Sequence, residues 1–268
     1  MDNYAYADQG FSLRVAAPIT NDISTTFRYN YKELRYTSDN YWRLSQPYRR
    51  VVDGTPWLQS SVSATVTYNT LDTTMLPHEG ILASLTQEVA GLGGDSHFYR
   101  VSARARGYYT LSDEMDLIGS VSTSAGHVMS LDGSALNVFD QFSLDSNDIR
   151  GFADSGIGPR MRGDPIGGTT YFTASAETTF PLPGVPQDSG FRGGFFVDAG
   201  TLFGNDVKIK EPAKGKLVGV GMDWRVSTGA SLIWASPFGP LRVDYAIPVM
   251  KQDHDIVQNL KFGISTAF

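Results

Sequence analysis

The chain has 268 residues, 41% of them hydrophobic, with 28 Gly, 13 Tyr, 15 Phe and no Cys. The lack of Cys excludes disulfides and thiolate metal sites. A net charge of −6 at pH 7 argues against nucleic acid as a partner, and no apolar run reaches the roughly 18 residues of a transmembrane helix.

At the amino terminus, Met1-Asp2-Asn3-Tyr4 has neither a basic n-region nor an apolar h-region. For an exported protein this predicts a fragment, a mature form or a truncated reading frame. From there a period-2 alternation runs along most of the chain. Thr26-Phe27-Arg28-Tyr29-Asn30-Tyr31-Lys32 shows it, followed by Ser61-Val62-Ser63-Ala64-Thr65-Val66-Thr67-Tyr68 and Tyr99-Arg100-Val101-Ser102-Ala103-Arg104-Ala105-Arg106. The clearest case is Leu241-Arg242-Val243-Asp244-Tyr245-Ala246-Ile247. A strand sends successive side chains to opposite faces, so each segment has one apolar and one polar face.

About eleven such segments are expected, at 10–20, 23–38, 56–71, 81–91, 97–112, 116–128, 167–182, 190–204, 216–235, 239–250 and 256–268. Each is long enough to supply the roughly 9–11 residues that cross a bilayer at a tilt. Thr20-Asn21-Asp22, Ser112-Asp113-Glu114 and Phe238-Gly239-Pro240 read as tight turns, whereas 39–55, 129–166 and 205–215 read as long polar loops. Short turns on one side and long loops on the other point to an all-β, antiparallel transmembrane barrel. A soluble sandwich also alternates, but it buries its apolar faces against each other and uses shorter strands.

Three charged residues are singled out. Arg150 sits in the longest loop. Glu177 shares a strand face with Tyr171, Thr173 and Ser175. Asp198 interrupts the apolar run Phe195-Phe196-Val197 and points away from Val197 and Ala199. A guanidinium can fork across two carboxylates; three independently solvated charges are the alternative. No nucleophile–base pair, phosphate loop or metal-ligand spacing stands out, and no catalytic residue or cofactor is expected. His78, His97, His127 and His254 read as solvated loop residues. Asp253-His254-Asp255 reads as a polar turn, with a bound cation as the alternative.

The chain ends Leu260-Lys261-Phe262-Gly263-Ile264-Ser265-Thr266-Ala267-Phe268, with Leu260, Phe262, Ile264, Thr266 and Phe268 on one face. This resembles the terminal-strand signal of outer-membrane proteins, in which Phe262, Gly263, Ile264 and Phe268 would carry the recognition by β-augmentation. Thr266 departs from that pattern, where a larger apolar residue is usual. A final strand of any β domain would also fit.

Further motifs carry a family resemblance. Ile149-Arg150-Gly151-Phe152, followed by Gly158-Pro159 and Gly167-Gly168, resembles the R-G-F loop of the BamA/TamA superfamily of outer-membrane assembly factors. Pro77-His78-Glu79-Gly80, Gly91-Leu92-Gly93-Gly94-Asp95, Phe196-Val197-Asp198-Ala199-Gly200 and Ser236-Pro237-Phe238-Gly239-Pro240-Leu241 match in order. The resemblance covers nearly the whole chain. It implies a carboxy-terminal barrel part over 1–268, about the last eleven of the family's sixteen strands, without the periplasmic POTRA domains. It implies that the loop at 129–166 enters the lumen and that Arg150 docks on Glu177 and Asp198. The function implied is folding and insertion of β-barrel proteins at the bacterial outer membrane, with no chemical active site. Implied partners are unfolded outer-membrane proteins, assembly lipoproteins reached through the POTRA domains, and outer-membrane lipid. A polypeptide-translocation pore of the same superfamily, or a passive porin, is the alternative.

Overall fold

The alternating segments pair in chain order into one antiparallel sheet of eleven strands, each hydrogen-bonded to its sequence neighbours. The structure is a computed structural model describing residues 5–37, 42, 44–49, 51–52, 56–74, 76–186, 189–207, 217–236 and 239–264. The strands are β1 (Ala5–Pro18), β2 (Ile23–Thr37), β3 (Trp57–Asn69), β4 (Gly80–Ala90), β5 (Phe98–Ser112), β6 (Leu117–Ser130), β7 (Thr170–Pro181), β8 (Phe191–Phe203), β9 (Arg225–Ser236), β10 (Gly239–Met250) and β11 (Leu260–Ile264). A meander of this kind needs only local turns, which is why consecutive strands become spatial neighbours.

The alternation decides what each face presents. Phe27, Val62, Val66, Leu85, Val121, Phe195, Val197, Tyr245 and Ile247 are all exposed on one face. The opposite face is polar, and Arg28, Asn30, Ser63, Thr65 and Glu88 line a cavity of about 210 Å³ on it. An apolar surface that covers one whole side of a single sheet is unsuited to water and suited to hydrocarbon. Aromatic pairs mark both ends of this belt. Phe191 stacks on Trp234 at 5.4 Å near the short turns, and Phe172 stacks on Phe203 at 6.3 Å near the long loops. No second sheet covers the apolar face among the described residues, so the soluble sandwich is set aside.

Four segments differ from the sequence expectation. β1 begins at Ala5 rather than near residue 10. Within 216–235, Leu217–Val218 leaves the main sheet to pair with Arg160–Met161, and the membrane strand starts only at Arg225. Within 256–268, Val257–Gln258 pairs with Gly151–Phe152 instead, β11 begins at Leu260 and is described to Ile264, and 265–268 lie outside the described residues. Period-2 alternation reports extended backbone, not its partner, so these breaks left no mark in the pattern. The described part of the expected 39–55 loop is also less solvated than expected, residues 39–41, 43, 50 and 53–55 lying outside the described ones. It carries a short helix, Gln46–Arg49, and buries Leu44, Tyr48, Val51 and Val52 against Tyr36, Val138, Met161 and Ile166. These loops form an apolar-cored cap at the long-loop end, tied by a bond from Ser45 N to Asp164 Oδ2 at 2.8 Å. Of the expected turn at 238–240 and loop at 205–215, residues 238 and 208–215 lie outside the described residues; Gly239 already belongs to β10.

Spin labels along 241–247 will alternate, with Leu241, Val243, Tyr245 and Ile247 accessible to oxygen from lipid and Arg242, Asp244 and Ala246 to an aqueous reagent; the opposite parity would contradict the membrane face. A second expectation concerns the sheet edges. Among the described residues no ladder joins β1 to β11. Bare edge N–H and C=O groups are not tolerated in hydrocarbon, so the isolated 268-residue chain will dimerise, aggregate or require added strands. Protease-resistant monomers in liposomes would contradict this.

Candidate functional site

The connection between β6 and β7 runs from 131 to 169 and folds over the polar face of the sheet. Its neck is pinched where Phe142 and Gly168 exchange backbone bonds of 2.8 and 2.9 Å. Inside the neck, Asp154 accepts bonds from Ser146 N at 3.0 Å and Ser146 Oγ at 2.8 Å, closing the turn that leads to Arg150. Leu144, Ile149, Phe152 and Ile157 pack with Tyr171 and Leu202, so the tip is anchored by apolar contact on both sides of the charge.

Two glycines make the close approach possible. Gly151 has φ +92°, a left-handed conformation that disfavours side chains, and a Cβ there would stand 3.3 Å from Ala246 Cβ. Gly200 on β8 leaves the hole that Ile149 fills, since a Cβ at Gly200 would fall 2.3 Å from Ile149 Cδ1.

Arg150 is 8% exposed and every edge of its guanidinium is engaged. Nε donates to Asp198 Oδ2 at 2.7 Å and Nη2 to Asp198 Oδ1 at 2.6 Å, a two-pronged pair. Nη1 donates to Glu177 Oε2 at 3.0 Å and Nη2 also to Ser175 Oγ at 3.0 Å. The backbone participates too: Arg150 N donates to Asp198 Oδ2 at 3.0 Å, and Ser227 Oγ donates to Arg150 O at 2.5 Å. One face of the guanidinium lies over the Phe196 ring at 3.4 Å. The register explains the room for this arrangement, because Asp198 has Ser175 on one side and Ser227 on the other.

A second arginine extends the network. Arg242 Nη2 donates to Glu177 Oε1 at 2.6 Å, and Arg242 Nε donates to Asp244 at 2.7 and 2.9 Å. Ser231 Oγ donates to Asp244 Oδ1 at 2.6 Å. Glu177 on β7 and Arg242 on β10 are three strands apart, roughly 14 Å in a flat sheet at about 4.8 Å per strand. Their contact therefore reflects both side-chain reach and inward curvature of the sheet.

Of the residues singled out in the sequence, the structure brings together Ile149, Arg150, Gly151, Phe152, Glu177 and Asp198. Sequence reasoning left out Ser175, Phe196, Ser227, Ser231, Arg242 and Asp244. Parity places Phe196 on the Asp198 face and Arg242 and Asp244 on the polar face, but the pairing of those faces was not foreseeable from it. The strand-signal residues stand elsewhere: Phe262 is 71% exposed on β11 and pairs with Val243, and Gly263 pairs with Arg242. Ile264 pairs with Leu241, and Phe268 lies outside the described residues. Asp255 does not belong to a solvated turn. Its side chain is fully buried on Arg225, because the fork of that guanidinium satisfies both carboxylate oxygens. Among the described residues no cluster of His, Asp or Glu has metal-holding geometry.

Known proteins share this architecture. The family model for the Omp85 superfamily domain matches residues 1–268. The outer membrane protein assembly factor BamA of Neorickettsia risticii is 34% identical over 211 residues, covering 78% of this chain and 27% of that protein. A SAM50-like protein of Schizosaccharomyces pombe is 31% identical, over 79% of this chain and 45% of its own length. This chain thus spans less than half of either relative. The crystal structure of Haemophilus ducreyi BamA lacking POTRA domains 1–3 superposes with a TM-score of 0.82 at 23% identity, covering 97% of this chain and 54% of that one. With its apolar outer belt and its whole length matched, the chain is an outer-membrane β-barrel segment that belongs to the Omp85 superfamily.

Proposed function

We propose that this segment is the carboxy-terminal barrel part of a bacterial factor that folds and inserts β-barrel proteins into the outer membrane. The observation that carries the reading is the loop tip held on the barrel wall by Arg150, Glu177 and Asp198. A loop fastened across the polar face suits a scaffold that presents strand edges more than it suits an open diffusion pore. The naming of the Neorickettsia relative as an assembly factor supports the same direction.

In this reading the work is mechanical and no bond is made or broken. Backbone groups entering lipid must be paired, so an incoming strand gains by pairing with a presented edge. Folding of the substrate supplies the driving force. The partners are unfolded outer-membrane proteins and outer-membrane lipid. Assembly lipoproteins would engage POTRA domains in the longer protein.

The test is a mutant cycle in the full protein, read as assembly activity. Arg150→Ala leaves Asp198 buried with no cation, whereas Glu177 and Asp244 keep Arg242. Breaking such a pair from one side costs about 3–5 kcal/mol where the site is dry. Arg150→Ala will impair assembly while strand content by circular dichroism stays constant. Asp198→Asn will cost more than Glu177→Gln, and adding Arg150→Ala to Asp198→Asn will cost little further. Additive penalties would show that the residues do not act as one unit and would overturn the docked-loop reading.

A further inference from the structure

The segment between β10 and β11, residues 251–259, is fastened to the Arg150 loop rather than left to solvent. Val257 and Gln258 form an antiparallel ladder with Phe152 and Gly151. The ladder is extended by a bond from Ala153 N to Ile256 O at 3.0 Å and one from Ile256 N to Gly156 O at 2.9 Å. The residues immediately following Arg150 are thus strand-paired to the residues immediately preceding β11.

A buried ion pair sets the shape of this segment. Arg225, at the start of β9, donates from Nε to Asp255 Oδ2 at 3.0 Å and from Nη2 to Asp255 Oδ1 at 2.9 Å. Neither side chain has any exposure. Asp255 Oδ2 also accepts from Gln252 N at 2.7 Å, and Arg225 Nη1 donates to Asp223 O at 2.7 Å. The Arg150 network uses none of these groups. A third tie lies on β11 itself, where Lys261 Nζ donates to Asn147 Oδ1 in the turn before Arg150.

Among the described residues, β10 pairs with β9 from Gly239 to Met250 and with β11 from Leu241 to Tyr245. At Ala246 the ladder gives way to Asn259, whose backbone O accepts from Ala246 N at 2.8 Å and whose Nδ2 donates to Ala246 O at 2.8 Å. Beyond that point the partner of the chain is the loop.

We infer that residues 251–259 form a clasp that makes β11 move with the docked loop, with Arg225, Asp255 and Lys261 as its positioning residues. Resting on the insertion reading above, this lets the loop fix how the β11 edge is offered to an incoming unpaired β-strand. While Arg150 is docked, the clasp holds 257–264 in place. When the loop lifts, the Phe152 ladder and the Lys261 tie are lost together and the edge is freed.

The test is amide hydrogen exchange of the full protein in lipid bilayers, alongside its assembly rate. Asp255→Asn will speed exchange across 257–264 by about tenfold or more, since local opening there no longer retains a buried ion pair. Lys261→Met, which leaves that pair intact, will give a smaller increase in the same segment, and Arg150→Ala will reproduce the larger one. β5 and β6 will exchange as in the parent, whereas a merely structural role would raise exchange across the sheet. Unchanged exchange over 257–264 in both Lys261→Met and Arg150→Ala would overturn the clasp, even if Asp255→Asn failed to fold. Faster exchange with a parental assembly rate would leave the clasp standing and overturn its part in offering the edge, whereas a parent protein with no assembly activity would overturn the insertion reading instead.

Discussion

A guanidinium taken out of bulk water must be given carboxylates in the right geometry, or its burial is strongly unfavourable. Arg150 meets that condition only when the loop lies on the wall, because its partners come from β7 and β8 and their neighbour on β10. Its charge thus ties a loop of nearly forty residues to the barrel at one point. Apolar contacts of Ile149 and Phe152 beside it make the site dry enough for the pairing to matter. The surrounding features follow from this one demand: a glycine at 151 for the backbone turn, a glycine at 200 for Ile149, and serines beside Asp198 that leave room for the guanidinium.

The network has more carboxylates than cations. Asp198, Glu177 and Asp244 face Arg150 and Arg242. Withdrawing Arg150 leaves three acids with one base, so the vacated wall would carry excess negative charge in a poorly hydrated place. Buried networks of this kind favour two discrete arrangements over a continuum. The cap formed by Tyr36, Tyr48, Val138 and Ile166 closes the long-loop end above it and steadies the same loop from the other side.

The strands were legible because alternation is local. Leu241 to Ile247 states its own two faces without knowledge of a neighbour, and the parity of Asp198 follows from Phe195 and Val197. What could not be read depended on distant partners. Leu44, Tyr48, Val51 and Val52 have no strand period and sit among polar residues, so their burial under the loop left no pattern. The ladder of Phe152 with Val257 joins positions about a hundred residues apart, and two residues are too few for a periodic signal. Arg242 reaches Glu177 through side-chain length and sheet curvature together, which a linear pattern does not encode. Asp255 looked like one polar residue in a polar turn, because the arginine that buries it lies at the start of β9.

On this reading Arg150, rather than the apolar contacts of the loop, holds the loop on the wall. Ser227 lies beneath the loop with no exposure and bonds the Arg150 carbonyl. The direct measurement is the labelling rate of Ser227→Cys by a water-soluble maleimide in the full protein, with and without Arg150→Ala. Docking by charge predicts a thiol that resists labelling in the parent and reacts readily once Arg150 is removed. Equal protection in both would contradict it and assign the docking to the apolar contacts alone.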